Sequence, residues 1–200
     1  MRGDLEAAFT LHSRALAIKR GLKDTRGIGA TLHNMGSIAF KDGDYRRARD
    51  LFAQSHAALE EVGDRGMAAM ASASLADAAR AMGDTVVARE GYVRALTRAE
   101  ENGDRGLVAH CLDGVAALLA VRGWQGDVVS AARLFGVAHE LRTASSMASV
   151  ALDMEEMYRH DVEMVKEALG SDLFATAWAD GRAVGITDAI AVAIEGCTAP

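Results

Sequence analysis

The chain has 200 residues, half of them apolar and 5% aromatic, and a net charge of −6 with both signs interspersed. That is enough apolar material for one continuous core or a short repeat array. The alanine-rich, aromatic-poor mix favours helices packed through small side chains over a β-sandwich. No basic run occurs, which disfavours direct nucleic-acid contact. The apolar runs fall well short of the ~18 residues a membrane span needs, and "MRGDLEAAF" holds no secretory h-region, so neither a span nor a signal is expected. Cys111 and Cys197 suit no disulfide or zinc spacing, and a cytoplasmic setting is expected.

Gly-Asp occurs at 3–4, 43–44, 63–64, 83–84 and 103–104, with Lys23-Asp24 as a degenerate copy and one more pair at 126–127. A marker every twenty residues reads as antiparallel helices joined by tight corners. Gly takes the left-handed position that ends one helix. Asp then caps the next, accepting from its free N–H groups at the positive end of the dipole. A helix of about 17 residues, about 25 Å long, plus a corner fills each unit. The expected helices are 4–20, 26–41, 44–61, 65–81, 84–101, 105–121 and 128–142.

Alternate helices differ in kind, so the full period is forty. Ala8, Ala48 and Ala88 align, joined by Ala131 after a three-residue insertion. His12, Phe52, Tyr92 and Phe135 follow four residues on, then Ala15, Ser55, Ala95 and Ala138. This is a small–large–small stripe along one helical face. In the other helix type Leu32 and Met35 precede Gly36, Leu75 precedes Ala76, and Val115 precedes Ala116. The small residue permits close approach and its apolar neighbours fill the gap.

These positions resemble the tetratricopeptide repeat from about residue 3 to 142. The repeat here is forty residues instead of thirty-four and lacks the usual proline. It is similar to the longer-helix variant of large bacterial regulatory ATPases and of maltose-type (MalT-like) transcription activators. Helix 4–20 carries the pattern of a second helix of a hairpin, so its apolar face would be left open. Either the chain is a piece of a longer array, or the open face is a homodimer contact. In the insertion "RGWQGD" at 122–127, Trp124 is read as covering the end of a helix pair, with recognition as the alternative.

Beyond Arg142 the repeat pattern stops. Residues 143–149 read as a loop and 154–170 as a helix, with Met154, Met157, Val162, Val165 and Leu169 on one face. Gly170 ends that helix and Ser171 caps the next, which runs to Asp180; Thr187 caps a last helix from Asp188. Residues 143–200 are thus expected to form a helical cap on an array spanning 1–142. "AARLFGVAHELR" at 131–142 and "LFATAWADGRAVGITDAIAVAIE" at 173–195 resemble the C-terminal tail of LuxR-type and related ATPase-coupled bacterial regulators. The matching residues are Ala132, Leu134, Phe135, Gly136, Ala138, Leu141, Arg142, Phe174, Trp178, Gly181, Ala189 and Ala193. The family's proline-containing loop before the long helix is replaced by "SSMASVAL".

No phosphate-cradling loop, HExxH pair or nucleophile elbow occurs, and the Gly-Asp aspartates are assigned to capping. No catalytic residue, cofactor or metal is expected. In stacked hairpins the first helices line a concave surface, which here places His33, Ser37, Lys41, Met70, Asp77, Arg80, His110 and Asp113 on a groove. The carboxylate clamp of chaperone-binding members is matched only at Asn34. The expected fold is an all-α, tetratricopeptide-like antiparallel helix-hairpin superhelix with a helical C-terminal cap. The expected function is non-catalytic protein–protein interaction or signal sensing within a bacterial transcriptional regulator. The partners would be proteins, peptides or the regulator's other domains, and an inducer-sensing domain is the alternative.

Overall fold

The computed structural model of the protein describes residues 2–123, 125–144 and 152–198. These are filled by ten α-helices: α1 (Arg2–Gly21), α2 (Thr25–Lys41), α3 (Tyr45–Glu61), α4 (Arg65–Ala81), α5 (Thr85–Asn102), α6 (Arg105–Arg122), α7 (Gln125–Ala144), α8 (Leu152–Leu169), α9 (Ser171–Arg182) and α10 (Ile186–Thr198). No strand occurs among the described residues. The fold is all-α and tetratricopeptide-like, and α1 to α6 lie where the twenty-residue marker puts them, to within two residues.

The corners explain the regularity. Gly43, Gly63, Gly83 and Gly103 all sit at φ between 67° and 81°, the left-handed region where a Cβ is costly. At each of these corners the glycine N–H donates to the carbonyl three residues back, and the following aspartate N–H donates five residues back, as in Asp44 to Ala39 at 2.9 Å. This pair of bonds is the Schellman closure of a helix end. The same aspartate then caps the next helix: Asp24, Asp44, Asp64, Asp84 and Asp104 each accept a backbone N–H three residues ahead, at 2.9–3.2 Å. One residue therefore closes the old helix with its N–H and opens the new one with its carboxylate. Lys23 performs the glycine's part at φ 56°, the one non-glycine residue with positive φ among those described.

Not every Gly-Asp is a corner. Gly3 and Asp4 lie inside α1, and Gly126 and Asp127 inside α7, because a corner needs a helix end before it. The end of α6 falls earlier, at Gly123, whose φ is 71°. In α7, Asp127 pairs instead with Arg122 at 3.4 Å. Two further caps are corrected. Ser171 is the first residue of α9, whose N-cap is Gly170, with no side-chain capping bond. Thr187 stands one residue inside α10, past the point where a cap can act. Of the loop expected at 143–149, Thr143 and Ala144 instead continue α7, and residues 145–149, like Trp124 and the side chain of Met154, lie outside the described residues.

The chain divides into two compact units, residues 1–94 and 95–200. In the first, residues equally distant from a corner face each other, as antiparallel hairpins require. Phe52 packs on Gly36, where an added Cβ would come within 2.7 Å of its ring. Buried Ser55 donates its Oγ to the Gly29 carbonyl at 2.8 Å. Across the next hairpin Ser72 Oγ donates to the Gly91 carbonyl at 3.1 Å. Ala48 and Ala88, the small positions of the stripe, are fully buried. On α1, Leu16 joins Leu32 and Met35 in the core, while Leu11 and Ile18, and Leu22 in the corner that follows, remain exposed.

In the second unit the stripe continues through Ala131, Phe135 and Ala138, all fully buried. Its other crossing is built differently. A Cβ on Gly136 of α7 would stand 2.3 Å from the Trp178 carbonyl oxygen, and one on Gly181 of α9 would stand 2.1 Å from that of Arg133. Each helix thus presses a glycine against the other's backbone. Val165 of α8 and Ala189, Ile190 and Ala193 of α10 complete this core.

Candidate functional site

The eight residues expected on a groove separate into six in the first unit and two in the second. In the first, α2 and α4 lie side by side. His33 Nε2 meets Ser74 Oγ at 3.2 Å, and its ring tilts against Phe52 at 5.3 Å between centroids. Burial lowers the His33 pKa below its ordinary 6.5, so the imidazole is neutral at pH 7. Ser37 donates its Oγ to the His33 carbonyl at 3.2 Å. Asn34, Lys41 and Met70 are exposed and Arg80 is half-buried. These side chains form a polar strip along two neighbouring helices.

Asp77 does not belong to that strip. It is 5% exposed and accepts from the Tyr92 hydroxyl at 2.6 Å. The cause lies in the stripe. At its large position the repeats carry Phe52, Tyr92 and Phe135, and only the tyrosine brings a hydroxyl into the core, where it needs an acceptor. The positions forty residues either side of Asp77 are Ser37 and Ala117. A carboxylate therefore stands only in the repeat that has a phenol, and this within-chain pairing is a signal the sequence holds.

In the second unit His110 and Asp113 are half-buried on α6 and take part in a cluster of charges instead of an open face. Asp113 pairs with Arg142 of α7 through a short hydrogen bond. The Arg142 guanidinium lies 4.9 Å over the ring of Tyr158 on α8, and that ring stands edge-on to Phe135 at 5.8 Å. Asp161, one turn further along α8, is 5% exposed. Burial pushes the Asp113 carboxyl up to about 6 against the pull of Arg142 and His110, and the Asp161 charge adds to the rise. Burial and the neighbouring Asp113 charge also raise the Tyr158 hydroxyl. Sequence reading took Arg142 only as part of a tail motif. Its pairing depends on α7 packing on α6 and on α8 folding back onto both, which no local spacing announces.

This cluster can hold charges and protons and can hydrogen-bond. Among the described residues no three His, Cys, Asp or Glu side chains gather as metal ligands, and no helix is long and apolar enough to cross a membrane.

Residues 1–61 match the family model of the tetratricopeptide repeat. None of the curated proteins matches the chain. Tetratricopeptide repeats generally mediate protein–protein interactions and are typically non-catalytic scaffolds.

Proposed function

We propose that the chain is a non-catalytic protein-binding and signal-sensing module, the C-terminal part of a bacterial transcriptional regulator acting in the cytoplasm. The observation that carries the binding role is the strip on α2 and α4. Both helices are fixed from behind by α3 and by the Phe52 and Tyr92 stripe positions, while Asn34, Lys41 and Met70 stand outward. A rigid scaffold with an outward polar strip, Met70 being its adaptable apolar element, suits an extended peptide or another domain. The regulator context rests on the tail residues from Ala132 to Ala193, with residues 143–200 serving as the cap of the array.

A photo-crosslinking residue at Met70 should capture a partner that the same residue at exposed Gln54 of α3 does not. Equal capture at both positions counts against the strip as the interface. The double variant Lys41→Glu/Arg80→Glu should weaken binding of that partner at least tenfold while leaving the melting temperature within a few degrees of wild type. For the regulator context, an ATPase-coding region in frame immediately upstream in the genome is the expected finding.

A further inference from the structure

We propose that the open face of α1 docks on the outer face of α10 in a second copy of the chain, a head-to-tail contact. α1 packs along α2. Its opposite side carries Leu11 and Ile18, each 64% exposed. Forty residues on, Leu51 and Ala58 hold these positions in α3, and there both are half-buried. Leu51 packs against the Leu16, Leu32 and Met35 cluster. The repeat thus shows what such a seam meets when it is covered, which is another helix.

Charge selects the helix. On the α1 face exposed Arg14 stands between Leu11 and Ile18, and exposed Lys23 follows in the corner. The outer face of α10 alternates in the same way with the opposite sign. Val184, in the corner before α10, is 37% exposed and Val192 is 43% exposed. Asp188 lies between them and Glu195 follows, both exposed. Spacings of three and four residues keep each set on one side of its helix. None of these four charges takes part in an ion pair or a side-chain hydrogen bond among the described residues. With the two helices side by side and parallel, Leu11 falls beside Val184, Arg14 beside Asp188 and Ile18 beside Val192, to within about 1.5 Å of helical rise. The long Lys23 side chain then reaches for Glu195. Apolar meets apolar and cation meets anion at each step. Two copies of α1 would instead bring four of these cations together against only the two Asp4 carboxylates. Helix α8, also acidic, exposes no large apolar residue among those described.

The contact is heterologous. One copy keeps a free α1 face and the other a free α10 face, so association continues past two copies. A single helix pair is a small interface, which sets a dissociation constant of about 10–100 μM.

Sedimentation equilibrium of the intact chain, from about 5 to about 500 μM to bracket that range, tests the contact. The weight-average mass should rise with concentration to beyond that of a dimer. Ile18→Asp and Val192→Asp alter exposed positions and should keep the wild-type circular dichroism, and each should weaken self-association at least tenfold. Mixed in equal amounts, the two variants should form a dimer and nothing larger. The intact α10 of one meets the intact α1 of the other, while the two altered faces repel. If either variant loses its helical signal, Leu11→Asp and Ala191→Asp, also exposed, take their places. A wild-type chain that stays monomeric throughout overturns the proposal. So does a mixture that stays monomeric, or a dimer that Val192→Asp leaves intact, since α1 would then be pairing with itself.

Discussion

The two units solve the same problem, bringing helices within touching distance, in different ways. In residues 1–94 the means are repeated: a left-handed corner residue, a capping aspartate, and a small side chain facing a large one. Residues 95–200 keep one such corner, at Gly103 and Asp104, and the stripe, and add two devices used once each: glycine pressed on backbone at the α7–α9 crossing, and a buried charge cluster under α8. Repeated devices are individually weak and replaceable. A device used once concentrates its energy at one place, so the second unit should break more sharply when struck.

Gly181→Ala is the hardest blow. Its new Cβ would meet the Arg133 carbonyl, carbon as well as oxygen, and backbone cannot swing aside as a side chain can. We expect a loss of about 3 kcal/mol or more, measured by denaturant unfolding followed through tryptophan fluorescence. Both tryptophans, Trp124 and Trp178, lie in the second unit, so the signal reports that unit alone. Gly36→Ala is the matched substitution in the first unit. There the atoms nearest the Cβ belong to the Phe52 ring, which can tilt, and the expected loss is about 1 to 2 kcal/mol by circular dichroism. Equal losses would show that the distinction between the units is false.

The units should also answer acid with opposite signs. In the first unit the His33 pKa is lowered by burial, and that of Asp64 by the bond from Arg26 at 2.7 Å and its capping bond to Met67. Groups depressed in the fold contribute stability that is present above their ordinary pKa values, 6.5 and 3.8, and is lost as pH falls. In the second unit Asp113 is raised from 3.8 to about 6. Its contribution is full below 3.8 and disappears as pH rises through 6, which amounts to about 2 kcal/mol between pH 4 and pH 7. Hydrogen exchange of α2 against that of α6 and α8 across this range resolves the two trends. A common trend in both units would refute the assignment of these shifts.

The same contrast explains how much could be read in advance. The helices of the first unit were legible because each corner is written in adjacent residues and repeated at a fixed interval. The failures fall where a residue pattern lacked its physical context. Gly3-Asp4 and Gly126-Asp127 have the letters of a corner but no helix end to close. Asp77 was assigned outward because its helix position faces a groove in an idealised hairpin, yet the Tyr92 hydroxyl draws it inward. The polar cluster was hidden for a different reason. Asp113, Arg142 and Asp161 are far apart in sequence: the packing of α7 on α6 brings the first two together, and the docking of α8 brings up the third. Of the glycines, Gly136 and Gly181 were noted as matches to a tail family, but their reason, a backbone within 2.3 Å of where a side chain would be, is tertiary.

Capping offers a finer test at lower cost. Asp44→Ala removes the acceptor of the Arg47 N–H at 3.1 Å and should lose about 1 kcal/mol. Thr187→Ala, at a residue whose type suits a cap but which lies inside α10, should change stability by less than about 0.5 kcal/mol, since Thr187 is exposed and already helical. Thermal unfolding of both variants under one set of conditions is sufficient. A larger effect at Thr187 than at Asp44 would mean that the aspartate corners are not what secures the helices.

The smallest effect is the most specific, because it alone should stabilise. Lys23 occupies the left-handed position that glycine holds at the other four Schellman corners, with φ at 56°. Its bonds match theirs: Lys23 N–H donates to Arg20 at 3.1 Å and Asp24 N–H to Lys19 at 3.0 Å. The geometry is therefore imposed on lysine by the closure, at a strain of about 1 kcal/mol for a residue with a Cβ. Lys23→Gly removes that strain but widens the conformational freedom of the unfolded chain, which takes back about half of it. The net gain is about 0.5 kcal/mol, or roughly 1–2 °C in melting temperature for a chain of this length. Gly43→Lys is the reverse exchange at the next corner and should lower the melting temperature by a similar or larger amount. Should Lys23→Gly melt earlier than wild type, the left-handed strain at the corner is not the governing term. The Lys23 side chain would then be contributing a contact worth more than the strain it imposes.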